Sequence, residues 1–293
     1  MTHIHTETVV APGTAPTRQL LVLHGIYGAG RNWSSVARRL VRARPDWGVE
    51  LVDLRSHGRS PRLSPHTVEA CARDLVRLEG HLGRRMDAVL GHSFGGKVAL
   101  VYAGMRWGAA VGRGAGPVGE AVLPRSEAQA GGQPLRQLWV VDASPGAGRA
   151  GGSAWRMLGV LRRHPGPFGS RAEAVDAVES EGFSTLVAKW MATNAVPTDN
   201  GLEWRLDADE MEAYLRDYFR TDAWGVVVDP PGGTEIHFVR ALGSRVLDEA
   251  AVPRIREAAA DTGRVYLHEV EGGHWVNTEN PDALHGLLAA GLG

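Results

Sequence analysis

Between a short apolar run, MDAVL, and a longer one, KVALVYAGM, the chain places Gly91, Ser93 and Gly95 as a GxSxG stretch, GHSFG. Side chains at the two glycine positions would collide with the strand before the turn and the helix after it, so the pattern reads as a tight, strained turn between those elements. Ser93 then projects its hydroxyl at the carboxyl edge of a sheet. A strand leading through a tight turn into a helix is one unit of a strand-helix alternation, and the rest of the chain is patterned accordingly.

Short β-type runs alternate with helical periodicity. QLLVLHG (19–25) is followed by a Gly-rich turn and the amphipathic NWSSVARRLVRA, and VELVDL (49–54) by the turn RSHGRSP. A helix is expected from about His66 to Leu82, then the strand MDAVLGHS (86–93), LWVVDASPG (138–146), and much later EIHFVRA and VYLHEVEGG. The alternation predicts an α/β fold with a mostly parallel sheet, right-handed crossovers and helices on both faces.

Two stretches break the rhythm. Residues 106–136 are rich in Gly, Ala and Pro where a connection of a few residues would suffice, and read as a flexible surface insertion that catalysis does not need. Residues 147–232 combine helical segments with large apolar side chains, among them Trp155, Trp190, Met191, Tyr214, Tyr218, Phe219 and Trp224. They read as a helical cap over the sheet's carboxyl edge, dividing the chain into core (1–146), cap (147–232) and core again (233–293). Most of these aromatics are expected to pack the cap's own small core; Tyr27, Trp155 and Trp190 are the candidates for substrate contact.

A serine hydroxyl is a weak nucleophile and needs a base to take its proton. Of the 12 histidines, His274 alone follows an apolar strand in the chain's final strand-to-helix loop, EGGHWVNTENPDAL, where Gly272 and Gly273 allow the turn and Pro281 opens the last helix. His24, His57 and His92 lie in turns beside the site and are read as structural. The start of the helix after Ser93 turns the Phe94 NH toward a developing oxyanion.

Composition narrows the functional classes. With 32 basic and 33 acidic residues the net charge is −1, so nothing draws the chain to nucleic acid or an anionic membrane. The pairs Arg38-Arg39, Arg84-Arg85 and Arg162-Arg163 are scattered and read as solvated helix faces. The single cysteine, Cys71, excludes an intrachain disulfide and reads as a core filler. MTHIHTETVVAPGTAPT lacks the features of a signal peptide and no apolar run is long enough to span a bilayer, so a cytoplasmic location is expected. Two GxGxxG matches, Gly114-Gly116-Gly119 and Gly146-Gly148-Gly151, lack the strand-turn-helix context of a dinucleotide site and follow from a composition with 38 glycines. No HExxH, clustered CxxC or EF-hand pattern occurs, so neither metal nor cofactor is implied.

HGIYGAGRNW, DLRSHGRSP, GHSFGGKVAL, VVDASP and GGHWVNTENP occur in the order found in α/β-hydrolases. Together they resemble the branch of small bacterial carboxylesterases and acyl-thioesterases whose turn reads GHSxGGK. The resemblance covers nearly the whole chain and is weakest over 106–136 and 150–232. It implies the α/β-hydrolase fold, a second oxyanion donor at the Ile26 NH, and a structural role for Asp53 in the DLRSHGRS turn.

The acid that would orient His274 is ambiguous. Many α/β-hydrolases place it after the strand that follows the cap, here EIHFVRA, yet Ser244 and Arg245 come first in that loop and the nearest acid is Asp248. Asp142 ends LWVVD on the same sheet edge as Ser93, and the related esterase branch is similar in placing its acid there. Asp142 is favoured, with Asp248 or no fixed acid as alternatives. The expected chemistry is acyl transfer from a small apolar acyl or aromatic ester, or a thioester, to water. Rival readings are a C–C bond hydrolase or a perhydrolase using the same triad, and a non-catalytic ligand-binding protein.

Overall fold

The computed structural model describes residues 3–107, 112–113, 134–247 and 249–293. Seven strands form one sheet: β1 (Thr6–Val9), β2 (Arg18–Leu23), β3 (Trp47–Val52), β4 (Ala88–His92), β5 (Gln137–Val141), β6 (Glu235–Ala241) and β7 (Val265–Val270). Their spatial order is β1-β3-β2-β4-β5-β6-β7. Only β1 runs antiparallel to its neighbour; the other five pairings are parallel.

Parallel strands covered on both faces read as continuous apolar runs, and β3, β4 and β5 are buried at every position. Alternate residues serve opposite layers. Leu21 and Leu23 join one core and Leu20 and Val22 the other. The first layer is built by α2 (Val68–Leu82), α3 (Phe94–Trp107) and α9 (Ala251–Thr262), contributing Leu75, Val98 and Ile255. The second is built by α1 (Ser34–Ala43) and α10 (Pro281–Gly291), contributing Leu40 and Leu288. Helix limits follow local chemistry: the Thr67 side chain accepts from the Ala70 N–H to open α2, and Gly83, at φ 61°, closes it. Asn280 caps α10, with Pro281 at its start. Cys71 is buried in the core.

Between β5 and β6 lie α4 (Gly152–Arg163), α5 (Arg171–Ser180), α6 (Thr185–Ala192), α7 (Ala208–Arg220) and α8 (Trp224–Val228). The segment is not wholly helical as expected: Ala195–Thr198 and Gly201–Trp204 pair as an antiparallel hairpin. The turn chemistry was present in Asp199-Asn200-Gly201. Gly201 sits at φ 129° and a Cβ there would lie 2.7 Å from the Phe168 carbonyl oxygen. Strand β1 also escaped the sequence reading, because TETV is half-exposed and carries no apolar run.

Within the expected insertion, Arg106 and Trp107 extend α3, and Gly112 and Arg113 pair antiparallel with Asp222 and Thr221 beyond α7. The rest of 108–133, and with it the expectation that this stretch is flexible and dispensable, lies outside the described residues, as do Gly114, Gly116, Gly119 and Asp248. No helix among the described residues is long and apolar enough to cross a membrane.

Candidate active site

Ser93 sits between the end of β4 and the start of α3 with a left-handed backbone, φ 53°. Its N–H donates to the Val141 carbonyl at 2.9 Å, and its own carbonyl accepts from Gly96 N at 2.9 Å and Lys97 N at 3.3 Å. The strand is thereby turned into the helix within one residue. A Cβ on Gly91 would fall 2.1 Å from the Gly95 oxygen, and one on Gly95 2.5 Å from the His24 oxygen. Glycine is required at both places.

The loop after β7 brings His274 to Ser93, with Nε2 3.0 Å from Oγ. On the other side of the ring, Nδ1 lies 2.7 Å from Asp142 Oδ2. Asp142 directly follows β5, is fully buried and is itself left-handed at φ 45°. Its N–H donates to the Val239 carbonyl at 2.8 Å, and its Oδ1 accepts from Ala241 N at 3.5 Å. With the carboxylate on Nδ1, the ring has its Nε2 lone pair free for the serine proton.

The histidines read as structural hold the turns around this trio. His92 donates from Nε2 to the His274 carbonyl at 2.7 Å, fixing the backbone of the loop. Burial, and then the neighbouring His274, push its pKa down to about 3, so it is neutral. His24 accepts from Leu54 N at 3.0 Å and donates from Nδ1 to the Gly25 carbonyl at 2.7 Å. His57 donates to the Arg55 carbonyl at 2.8 Å, and burial, reinforced by His24, holds its pKa at about 3. Asp53 accepts from Gly30 N at 2.7 Å and Arg59 N at 2.8 Å, so its carboxylate ties two turns together.

Ile26 and Phe94 both line space that opens on Ser93. Neither backbone N–H finds an acceptor among the described residues; for Phe94 this follows from its place in the first turn of α3. Two orphan donors thus flank the serine.

Two cavities meet at Ser93 and His274. The smaller, about 30 Å³, is lined by Tyr27, Trp33, Met157, Trp190 and Trp275. The larger, about 390 Å³, runs under Leu215, Tyr218 and Phe219 of α7 and along residues 147–154. Tyr27 (φ 64°) is buried and donates its hydroxyl to the Ala154 carbonyl at 2.8 Å; burial raises its pKa far above the usual phenol value. Trp190 packs against Trp275, ring centroids 5.9 Å apart. Trp155 departs from expectation. It lines a separate cavity with Arg156 and Phe183, under the Arg216 guanidinium at 5.5 Å. The reason is helical spacing: Ala154 faces the serine, and the next residue is turned about 100° away.

Sequence reasoning missed Lys97, although it is the only charge in KVALVYAGM. Lys97 is 1 % exposed, and its ammonium donates to the carbonyls of Gly146 at 2.7 Å, Tyr218 at 2.8 Å and Thr221 at 3.2 Å. Burial pulls its pKa down toward about 7, opposed by the nearby Asp222 and Asp217 carboxylates, which favour the charged form. Among the described residues no group of three or more His, Cys, Asp or Glu is placed to hold a metal.

The model of the alpha/beta hydrolase family matches residues 20–287, and the chain belongs to that family. Curated relatives include an sn-1-specific diacylglycerol lipase, ABHD11, from Danio rerio, 23 % identical over 93 % of this chain and 77 % of that protein. Lipase LipV of Mycobacterium tuberculosis is 26 % identical over 96 % of this chain and 95 % of its own length. Among solved structures, a marine microorganism esterase superposes with a TM-score of 0.75 at 21 % identity, covering 98 % of both chains, which is a likeness of fold.

Proposed function

We propose that this chain is a carboxylesterase-type serine hydrolase that cleaves carboxylic esters through an acyl-enzyme. The reading is carried by the continuous contact from Ser93 Oγ to His274 Nε2 at 3.0 Å and from His274 Nδ1 to Asp142 at 2.7 Å. The lipases among its relatives point the same way. His274 takes the hydroxyl proton as Ser93 attacks the ester carbonyl, and Asp142 stabilises the imidazolium that results. The Ile26 and Phe94 N–H groups receive the oxyanion. The tetrahedral intermediate collapses, His274 returns the proton to the leaving alcohol, and water repeats the cycle on the acyl-enzyme to release the acid. A thioester would follow the same steps with a thiol leaving.

Residues 147–232 act as a cap. With about 30 Å³ on one side of Ser93 and about 390 Å³ on the other, the site suits an ester with one small and one bulky arm. Tyr27 and Trp190 bound the small side.

The test is Ser93→Ala, which deletes one hydroxyl from a turn that already carries a Cβ. Ester turnover should fall by about 10³ or more, with the circular-dichroism spectrum unchanged, and labelling by a fluorophosphonate probe should disappear. Near-native turnover by the purified variant would refute the assignment.

A further inference from the structure

The large chamber carries a charge pattern that ester chemistry does not require. Of its lining residues, Arg149, Arg245 and His274 are the ones that can be cationic, and no Asp or Glu among the described residues lines it. The two arginines reach it from different directions. Arg149 follows Asp142 on the stretch leading into α4, and Arg245 lies on the loop after β6. Both are exposed, and neither has a hydrogen-bonding or ion-pair partner among the described residues.

The neighbouring cavity beside Trp155 makes the contrast. Its Arg162 pairs with Asp209 and Glu212, and its Arg163 with Glu181, so those guanidiniums are neutralised within the protein. Nor does the chamber's positive rim reflect a general excess, since the chain as a whole carries −1. Two guanidiniums without a partner among the described residues, at the mouth of a space lined otherwise by apolar and small neutral residues and His274, attract an anion and can bind it by charge-assisted, paired N–H donors.

Building on the serine-hydrolase reading, we propose that the bulky arm of the substrate ends in an anionic group, a carboxylate or a phosphate, held by Arg149 and Arg245 while the reacting carbonyl lies at Ser93. The apolar walls between, formed by Leu215, Tyr218 and Phe219, cover the intervening chain. The cost of desolvating the anion is small, because both arginines are exposed and the charged end stays at the rim.

Two matched substrate pairs test this. Monomethyl adipate against dimethyl adipate asks whether a carboxylate is read. S-butyryl-coenzyme A against S-butyryl-N-acetylcysteamine asks the same of phosphate. In the wild-type protein at low salt, the charged member of at least one pair should have a kcat/KM roughly tenfold or more above its neutral partner. The advantage should sit mainly in KM and shrink with added salt. In the Arg149→Gln/Arg245→Gln double variant the charged-to-neutral ratio should approach one. Because the ratio is internal to each protein, a general loss of activity cancels from it. Ratios near one in the wild type for both pairs, or a preference that survives in the double variant, would overturn the proposal. If neutral substrates are not hydrolysed and the fluorophosphonate leaves Ser93 unlabelled, the hydrolase reading itself fails and this inference falls with it.

Discussion

Tyr27, Ser93 and Asp142 are three of the four described non-glycine residues with a positive φ; the fourth is Ser56. Such a backbone costs an L-residue roughly 1–3 kcal/mol and persists only where its surroundings dictate it. At Asp142 the strain serves a purpose: it turns the chain out of β5 so that the carboxylate reaches back to the His274 ring instead of continuing along the strand. Asp142→Asn keeps the shape and removes the charge that would hold the ring's tautomer and stabilise the imidazolium. We expect kcat to fall by about 10² to 10⁴ with a melting temperature within about 2 °C of wild type. Steady-state kinetics beside a thermal melt decide it, and a variant with more than half the wild-type kcat would remove Asp142 from the triad.

Among the elements, α3 and α7 are joined by Lys97. One carbonyl it serves, Gly146, lies where the chain leaves the sheet; the others, Tyr218 and Thr221, lie at the carboxyl end of α7. The last carbonyls of a helix have no partner within it and present the negative end of its dipole. A buried ammonium there ties Gly146, just after β5, and the end of α7 to the helix that begins at Phe94. Lys97→Met fills nearly the same volume and removes the one ammonium that donates to all three carbonyls. Since an unsatisfied buried group costs about 1–3 kcal/mol, with relief of the lysine's own desolvation offsetting part of that, the variant should lose about 2 kcal/mol or more. Urea unfolding measures this, and a variant as stable as wild type would show that the ammonium's burial cancels its hydrogen bonds.

For the whole molecule, the buried histidines set the acid limit. His57 and His92 are held at about 3, chiefly by burial, and His24 is lowered by the same cause. In the unfolded chain each would titrate near about 6.5. Below that pH the unfolded state takes up protons that the fold refuses, so stability falls as pH drops from about 6.5 toward about 3. The slope is up to about 1.4 kcal/mol per pH unit for each histidine. His57→Asn keeps a side chain able to donate to the Arg55 carbonyl and removes one of these protons. Its stability deficit at pH 7.5 should narrow by roughly 2 kcal/mol at pH 5, read from urea midpoints. A deficit independent of pH would show that His57 does not contribute to the acid limb.

Local patterning determined much of this protein. Apolar runs of strand length between amphipathic helices specified the parallel sheet. Two glycines around Ser93 specified the turn, because no side chain fits there, and the order of the motifs placed His274 on the last loop. Other features depend on contacts between segments far apart in sequence. Strand β1 needs β3 beside it, since TETV has no apolar pattern of its own. Trp155 and Ala154 are adjacent letters that the helix sends to different cavities. Lys97 reads as an ordinary helical lysine until α7 ends above it. Asp142 was a preference among carboxylates in the sequence, and its contact with His274 arises because β4, β5 and the loop after β7 end at one edge, which is a property of strand order, decided only in the tertiary structure.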